Sequence, residues 1–355
     1  MAGGRETGNE TYVRGLVSGF AQLDRDFELN VYHVGRPWQG PARHVNFHRL
    51  VTQSPWVRLT VDLPARIVAD GLDVLHTTYT APLWARCPLV VTVHDISFVS
   101  HPEWFSQRDI RVLSRTVPWS MRSAKRVITV SELCRSEIIE HYGVPAEKVV
   151  CVPNAAGPAA DPISDVDAEA EISKLGLDSA RQYVLAVGNL QPRKNLVRLF
   201  SAFRSVVASG LDVDLVIAGP EHYRAADVLD AAHEARSRIR FTGYLSDRQL
   251  AACYARAAAF VFPSLYEGFG IPALEAMAHG VPVVSSQGGA LPEVCGDAAM
   301  YFDPINVAAM ANAIHQALTD TQLRERLISA GRARVQEFTW RRSAEKTLAV
   351  YEEAV

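Results

Sequence analysis

The sequence predicts an α/β fold made of two doubly wound domains, each a parallel sheet with helices on both faces. Three observations carry this. Short runs rich in Val, Ile and Leu alternate with stretches of helical periodicity, as strands buried on both faces require. The rhythm breaks once, at the aperiodic segment 155–167 (AAGPAADPISDVD), and then restarts. The length of 355 residues suits two domains of ordinary size, and 48% apolar with 21% charged residues is the composition of packed cores.

Taken in order, the chain opens at 3–12 (GGRETGNETY) with a glycine-rich turn that leads into a helix. The apolar face of that helix includes Val13, Leu16, Val17 and Phe20. Such a turn normally follows a strand, and only Met1 and Ala2 precede it, so the first strand of the first sheet is expected to be missing. Strands are expected at 28–34, 56–61, 73–76, 89–93, 126–130 and 149–152, with helices at 106–122 and 132–142. Segment 155–167, with its prolines and glycine, reads as a linker. Beyond it, strands are expected at 183–187, 215–218, 239–242, 260–263 and 281–285. Leu196, Leu199, Phe200, Phe203 and Val207 define one helix face, and Met310, Ala311 and Ile314 mark a helix over 307–318. A last helix covers 340–352.

The net charge of −3 argues against a general nucleic-acid binder, so no nucleic-acid partner is expected. Cys87, Cys134, Cys151, Cys253 and Cys295 show neither C-x-x-C nor zinc-finger spacing, and read as reduced thiols. There is no basic-then-apolar leader and no apolar run of spanning length. These features suggest a cytoplasmic protein.

Three stretches carry chemistry, each at the carboxyl end of an expected strand, where doubly wound sheets bind ligands. In SLYEGFGIPALE (264–275), Gly268, Phe269 and Gly270 form a turn and a helix opens at Ile271–Pro272. Backbone N–H groups and the helix start favour an anionic or hydroxyl-rich ligand. Glu267 and Glu275 are expected to face one pocket and to accept hydrogen bonds from vicinal diols. The alternative makes Glu267 a cap and Glu275 a solvated helical residue. In VGNLQPRKN (187–195), Arg193 and Lys194 precede a helix; with free backbone donors they would form a diphosphate site, or be ordinary solvated cations. In VTVHDIS (91–97), His94 and Asp95 could form an acid/base pair, or His94 could position a ligand while Asp95 caps the next turn.

Two Asp-x-Asp triplets, 165–167 and 212–214, could in principle hold a divalent metal under a diphosphate. The first lies in the linker and the second precedes its strand, so both are expected to be solvated. Segment 106–126 sets Arg108, Arg111, Arg115, Arg122, Lys125 and Arg126 against the single acid Asp109, with Trp119 and Met121 interleaved. It fits a membrane surface or an acidic acceptor, or else a sheet-packing helix with a solvated basic face.

Together these stretches resemble the family-4 glycosyltransferases, retaining enzymes of the GT-B fold, over nearly the whole chain. The resemblance rests on Glu267–Glu275 as the E-x7-E motif, on PRKN (192–195) and on the His94–Asp95 pair. TVSE (129–132), VPN (152–154) and SQGGALPEV (286–294) also match. It implies two Rossmann-like domains facing each other across a cleft. Their bounds would be 1–157 on the acceptor side and 158–337 on the donor side, with 338–355 crossing back to the first domain. It further implies that Glu267 contacts the transferred sugar beside Gly268, Phe269 and Gly270, and that Glu275 holds the ribose diol. Arg193 and Lys194 would neutralise the leaving diphosphate where other glycosyltransferases use a metal, so no metal or other cofactor is expected. Gly8 would approach the phosphates, with Gly188 at the PRKN turn; His94 would bind the donor sugar; and Gly219, Tyr244 and Leu245 would flank the base. Many relatives carry an arginine shortly after the counterpart of Gly188, where this chain has Asn189. The expected reaction is hexosyl transfer, mannosyl as a first guess, from a GDP- or UDP-sugar to a saccharide or lipid-linked acceptor. It would serve polysaccharide or glycolipid assembly, at the inner face of the membrane if the basic segment docks there.

Two other classes compete. A nicotinamide oxidoreductase would need G-x-G-x-x-G after a strand and an acid about 20 residues on, which neither half supplies. A catalytically silent nucleotide-sugar binder would share the fold, but the retained Glu267, Glu275 and Lys194 argue against it.

Overall fold

The computed structural model describes residues 8–34, 44–50, 52, 54–178, 180–232 and 237–355. The chain divides into two compact units, Met1–Ala155 with Phe338–Val355, and Ala156–Glu337. Both are α/β, and every strand pairing in them is parallel.

In the first unit, α1 (Gly8–Ala21) leads to β1 (Leu29–His33) and β2 (Val45–Arg49), which form a two-stranded sheet. A helical run follows: α2 (Pro55–Val57), a π-helical turn Arg58–Asp62, and α3 (Leu63–Ala69). The strands β3 (Leu75–Thr78), β4 (Leu89–Thr92), β5 (Arg126–Thr129) and β6 (Val149–Cys151) form a second sheet in that order. Its connections carry α4 (Ser97–Ser100), α5 (Gln107–Ser123) and α6 (Glu132–Tyr142).

The strand expected at 56–61 is helical instead. Pro55 and Pro64 sit in first helical turns, where a missing N–H costs nothing, and a six-residue stretch has too little length to separate the two periods. Its apolar residues Trp56, Val57 and Val61 are exposed, so no core draws them into a sheet. The strand expected at 73–76 lies two residues later, and β2 was not anticipated at all. A doubly wound sheet would place one more parallel strand between β1 and β3; among the described residues none lies there, and the two sheets remain separate. The glycine-rich turn expected at 3–7 lies outside the described residues.

In the second unit, the expected linker gives way early. A 3-10 turn at Pro158–Ala160 precedes α7 (Asp165–Lys174), whose first turn is capped by Ser164 and contains the first Asp-x-Asp triplet. Then come β7 (Tyr183–Val187), α8 (Leu196–Ala208), β8 (Asp214–Ala218), α9 (Ala225–Ala231), β9 (Ile239–Gly243), α10 (Asp247–Arg256) and β10 (Ala259–Phe262). The unit closes with α11 (Ile271–Ala278), β11 (Val283–Ser286), α12 (Leu291–Cys295), β12 (Ala299–Phe302), α13 (Val307–Thr319) and α14 (Thr321–Val335). The sheet order is β12-β11-β10-β7-β8-β9. Leu199, Phe200 and Phe203 of α8 pack with Met310 and Ile314 of α13 over this sheet, so the helical face read from the sequence is the buried one. Because the strands are parallel, the loops after β7, β8, β9 and β10 emerge on one edge.

The final helix, α15 (Trp340–Ala354), belongs to the first unit and lies against α1. A Cβ at Gly15 would overlap the Trp340 ring, and one at Gly19 would strike the Trp340 carbonyl, so both glycines are required by close approach. Tyr351 also bonds His76 Nδ1 (2.6 Å), whose Nε2 meets Thr92 Oγ1 (2.6 Å), which Tyr12 of α1 reaches at 3.0 Å. Burial holds His76 down at about 3, so this buried polar chain is neutral. We expect Gly15→Ala to destabilise the first unit by about 1–3 kcal/mol through overpacking, read by urea denaturation against Ser18→Ala on the same helix. Equal stability of the two variants would show that the helices can part without cost. No helix of the described residues is long and apolar enough to cross a membrane.

Candidate active site

A charged cluster forms where the loops after β7 and β10 meet. These strands are neighbours in the sheet although some 70 residues separate them, with Ala259 opposite Val184. The backbones of the loops are fastened to each other: Leu265 N donates to Arg193 O (2.9 Å), and Asn195 Nδ2 donates to Pro263 O (2.9 Å). Asn195 also donates to Pro304 O (2.7 Å) and takes a left-handed φ of 56° just before α8, a conformation asparagine tolerates.

On this frame Lys194 Nζ donates to Glu267 Oε1 and Arg193 Nη1 to Glu267 Oε2, each at 2.7 Å. Arg193 Nη1 also donates to Tyr266 O at 3.0 Å. Lys194 and Glu267 are buried. Burial alone would raise the Glu267 carboxyl, but the Arg193 and Lys194 charges outweigh it and hold it at about 2. Burial lowers the Lys194 ammonium, and the Glu267 carboxylate opposes that change. The three groups form a cluster of two cations and one anion, with Lys194 and Glu267 buried and Arg193 half-buried. The solvated-cation reading of Arg193 and Lys194 is thereby overturned, and so is the reading of Glu267 as a helix cap, since α11 has no side-chain cap.

The glycines of these loops are packed tightly. Lys194 runs over Gly188, where a Cβ would lie 2.7 Å from its Cε, and its Nζ sits 5.1 Å from the Phe262 ring centre. Gly219 abuts the Gly188 carbonyl, and Gly270 faces Leu291 before α11. Behind Glu267 lies a brace that sequence reasoning quoted but gave no role, Gly288–Gly289. Gly289 has φ 64°, and a Cβ there would collide with the Glu267 backbone, while Ala290 N donates to Glu267 O (2.8 Å). The paired glycines after β11 were the available signal.

Glu275 turns to other partners. It is 5% exposed, which excludes the solvated reading, and its Oε2 accepts from Tyr254 Oη of α10 at 2.9 Å. Burial raises its carboxyl to about 7, against hydrogen bonds from Tyr254 and the Gly157 backbone that favour the charged form. Tyr254 is itself buried and stacks on His279, with ring centres 5.9 Å apart. No local signal marked Tyr254, because it lies 21 residues before its partner. At the end of β9, Leu245 is buried and Tyr244 is half exposed, while Gly243 O accepts from Gly219 N (2.9 Å). Phe269 is buried in the turn beside Gly268.

In the first unit, His94 follows β4 and is 9% exposed, with Tyr12 edge-on at 4.7 Å. Its buried Nε2 has no hydrogen-bond partner among the described residues. Burial lowers the imidazole to about 4, so it is neutral at pH 7. Asp95 accepts from Ser97 N (3.0 Å) and Ser97 Oγ (2.6 Å), which is the capping role. Gly8 starts α1 with open space around it.

The aspartate triplets are engaged rather than free. Asp167 pairs with Arg248 (2.7 Å), and both Arg181 and Arg238 pair with Asp212. Asp212 is exposed as expected, but Asp214 is buried, which corrects the expectation of a solvated triplet at that position. All five cysteines are free thiols, and Cys134, Cys253 and Cys295 are buried.

Comparison with known proteins gives a consistent picture. A family model described as Glycosyltransferase Family 4 matches residues 7–158, and one described as Glycosyl transferases group 1 matches 167–334. The O-antigen chain mannosyltransferase B of Escherichia coli is 36% identical over 266 residues, covering 74% of this chain and 69% of that protein. The serotype-specific mannosyltransferase WbdA of E. coli is 30% identical over 229 residues, and the match spans only 28% of its length. Among solved structures, sucrose-phosphate synthase from Thermosynechococcus elongatus superposes with a TM-score of 0.78 at 23% identity, covering 99% of this chain and 95% of that one. Anabaena HepE in complex with UDP-glucose gives a TM-score of 0.69 at 23% identity, covering 88% and 87%.

Proposed function

Since the chain belongs to the family-4 glycosyltransferases and has their GT-B fold, we propose that it transfers mannose from a nucleotide diphosphate donor to an acceptor hydroxyl in polysaccharide or glycolipid assembly. The names of its curated relatives support mannose as the sugar. The observation that carries the reading is the Arg193–Glu267–Lys194 cluster, which offers a diphosphate two fixed cations, one buried and one half-buried.

Cleavage of the sugar–phosphate bond develops negative charge on the diphosphate and positive charge on the sugar. Cations already buried and oriented stabilise that separation most in the transition state, because no solvent has to reorganise. Lys194 is the closer-held of the two, fixed by Glu267 and by the narrow slot over Gly188. Glu267 keeps lone pairs beyond the two bonds it accepts, so it can also take hydroxyls of the donor sugar. With its carboxyl held at about 2 by the cations, it is a poor nucleophile. That favours retention by entry of the acceptor on the face the diphosphate leaves. Glu275 holds the ribose diol, with Gly219, Tyr244 and Leu245 beside the base, and His94 positions the donor sugar as a neutral hydrogen-bonding group. The two cations take the part a metal plays in other glycosyltransferases.

The test is a panel of GDP- and UDP-sugars assayed for sugar release with and without EDTA. We expect release from one mannosyl donor, unchanged by the chelator. Loss of activity with EDTA that is restored by a divalent cation would overturn metal independence. Absence of both binding and release across the panel would overturn the donor reading.

A further inference from the structure

In the first unit the chain leaves β3 through a turn with an unusual backbone. Thr80 N donates to Thr78 O (2.6 Å), which closes a three-residue turn centred on Tyr79, and Tyr79 has φ 58°. The positive-φ form of this turn is rare and strained. Glycine adopts such a backbone freely, and asparagine and histidine tolerate it, but a bulky side chain there is an outlier. The other non-glycine residues with positive φ among the described residues are His44, Asn195 and Arg224. The first two are of tolerant types, and Arg224 is exposed, whereas Tyr79 is bulky and half-buried.

The surroundings hold the strain in place. Tyr79 N donates to Thr92 O (2.8 Å), Ala81 N donates to Ser120 Oγ (2.9 Å), and Thr80 Oγ1 donates to Thr116 Oγ1 (3.1 Å). None of these bonds needs a side chain at position 79, so glycine would make the same turn at lower cost. What tyrosine adds is its ring. That ring lies against the His94 imidazole, with centres 5.7 Å apart and planes at 56°. Tyr12 of α1 also meets the imidazole, at 4.7 Å and 83°. Tyr12 is itself pinned, because its hydroxyl meets Thr92 Oγ1, which His76 and Tyr351 tie to α15. The buried Nε2 of His94 has no hydrogen-bond partner among the described residues, so it gives the imidazole no anchor. Ring contacts are left to set its direction.

We propose that Tyr79 is a positioning residue for sugar transfer: its ring, together with that of Tyr12, fixes the His94 imidazole so that Nε2 is aimed at the donor sugar. The proposal rests on the reading of His94 as the group that positions that sugar. Strain in the turn is then part of the site's preorganisation, because it delivers a stiff aromatic wall to a ring that lacks a hydrogen-bonded anchor at Nε2. The Tyr79 ring also packs on the core around Ile67 and Val91. A purely structural role would therefore show as lost stability, and a positioning role as lost rate that depends on His94.

The test is a double-mutant cycle in the full chain. Tyr79→Gly keeps the turn and removes the ring; Tyr79→Asn serves the same end should the glycine variant fold poorly by far-UV circular dichroism. We expect kcat for sugar release to fall about tenfold or more in the ringless variant, since a small misplacement of a positioning group costs that much. Calorimetric binding of GDP and UDP, which carry no sugar, should match the parent. Tyr79→Phe should rescue the rate, because the ring and not the hydroxyl is what touches His94. Added to His94→Ala, Tyr79→Gly should cause no further loss, as two residues acting through one contact are not additive. A second readout needs no donor: nuclear Overhauser contacts between the His94 and Tyr12 rings, expected in the parent and in Tyr79→Phe and weakened in Tyr79→Gly. If the parent releases no sugar, the donor reading fails while these contacts still decide this one. Parental kcat in Tyr79→Gly, an equal further loss in the His94→Ala background, or undiminished contacts between the two rings would each overturn the proposal.

Discussion

Replacing Lys194 with alanine lowers kcat at saturating donor by two orders of magnitude or more. One fixed contact to a leaving group is worth about 3 kcal/mol in the transition state. The variant should fold, because Arg193 still pairs with Glu267 and leaves no buried carboxylate orphaned. Arginine should not restore the rate. The slot beside Lys194 is bounded by Gly188 and the Phe262 ring and fits a slender amine, not a planar fork. The decisive readout is single-turnover sugar release, with calorimetric binding of the nucleotide diphosphate in parallel. A Lys194→Ala enzyme turning over at the parental rate would remove the cation cluster from the chemistry.

Glu275→Gln should have two large effects of opposite sign. In the folded protein the Glu275 carboxyl stands near 7 against an ordinary value of 4.5, so the folded state holds its proton more tightly than the unfolded chain does. An acid raised in this way stabilises the fold, relative to higher pH, below about 4.5, and that advantage drains away as pH rises through about 7. Above that pH the parent bears a buried charge costing about 3 kcal/mol. Glutamine removes this cost and forfeits one charge-strengthened hydrogen bond, for a net gain of about 2 kcal/mol at pH 8 and little change at pH 4.5. The same change weakens recognition of the ribose diol, so KM for the donor should rise about tenfold or more while the fold becomes firmer. Urea denaturation at the two pH values, together with donor KM, reads both effects. A variant that is less stable than the parent at pH 8 would show that the carboxylate is well solvated or better partnered than the burial implies.

Tyr254 explains how such a carboxylate is kept in place. Its hydroxyl donates to Glu275 from a neighbouring helix, and its ring stacks on His279, which in turn meets Ala159 O at 2.7 Å. The second glutamate of the motif is therefore held from α10 and from the segment that opens the second unit. A spacing rule within 264–275 cannot express that dependence.

The sequence by itself determined the parallel sheets, most strand positions and the residue types at the strand ends. These features are local: buried strands need continuous apolar runs, helix starts favour Pro272, and turns that approach a ligand closely need glycine. The faces of α8 and α13 were legible for the same reason, since Leu199, Phe203 and Ile314 follow helical spacing over enough residues to be unambiguous. Three things were decided only by the tertiary structure. The run 56–61 became helical because no sheet covered its apolar residues, and periodicity over six residues cannot choose. Arg193 and Lys194 came to share one carboxylate because β7 lies beside β10, and strand order is set by how whole layers pack rather than by any neighbouring residue. Tyr254 reached Glu275 across 21 residues, from one helix to another. Short-range chemistry is written along the chain, whereas the pairing of distant groups exists only once the core has chosen which elements are neighbours.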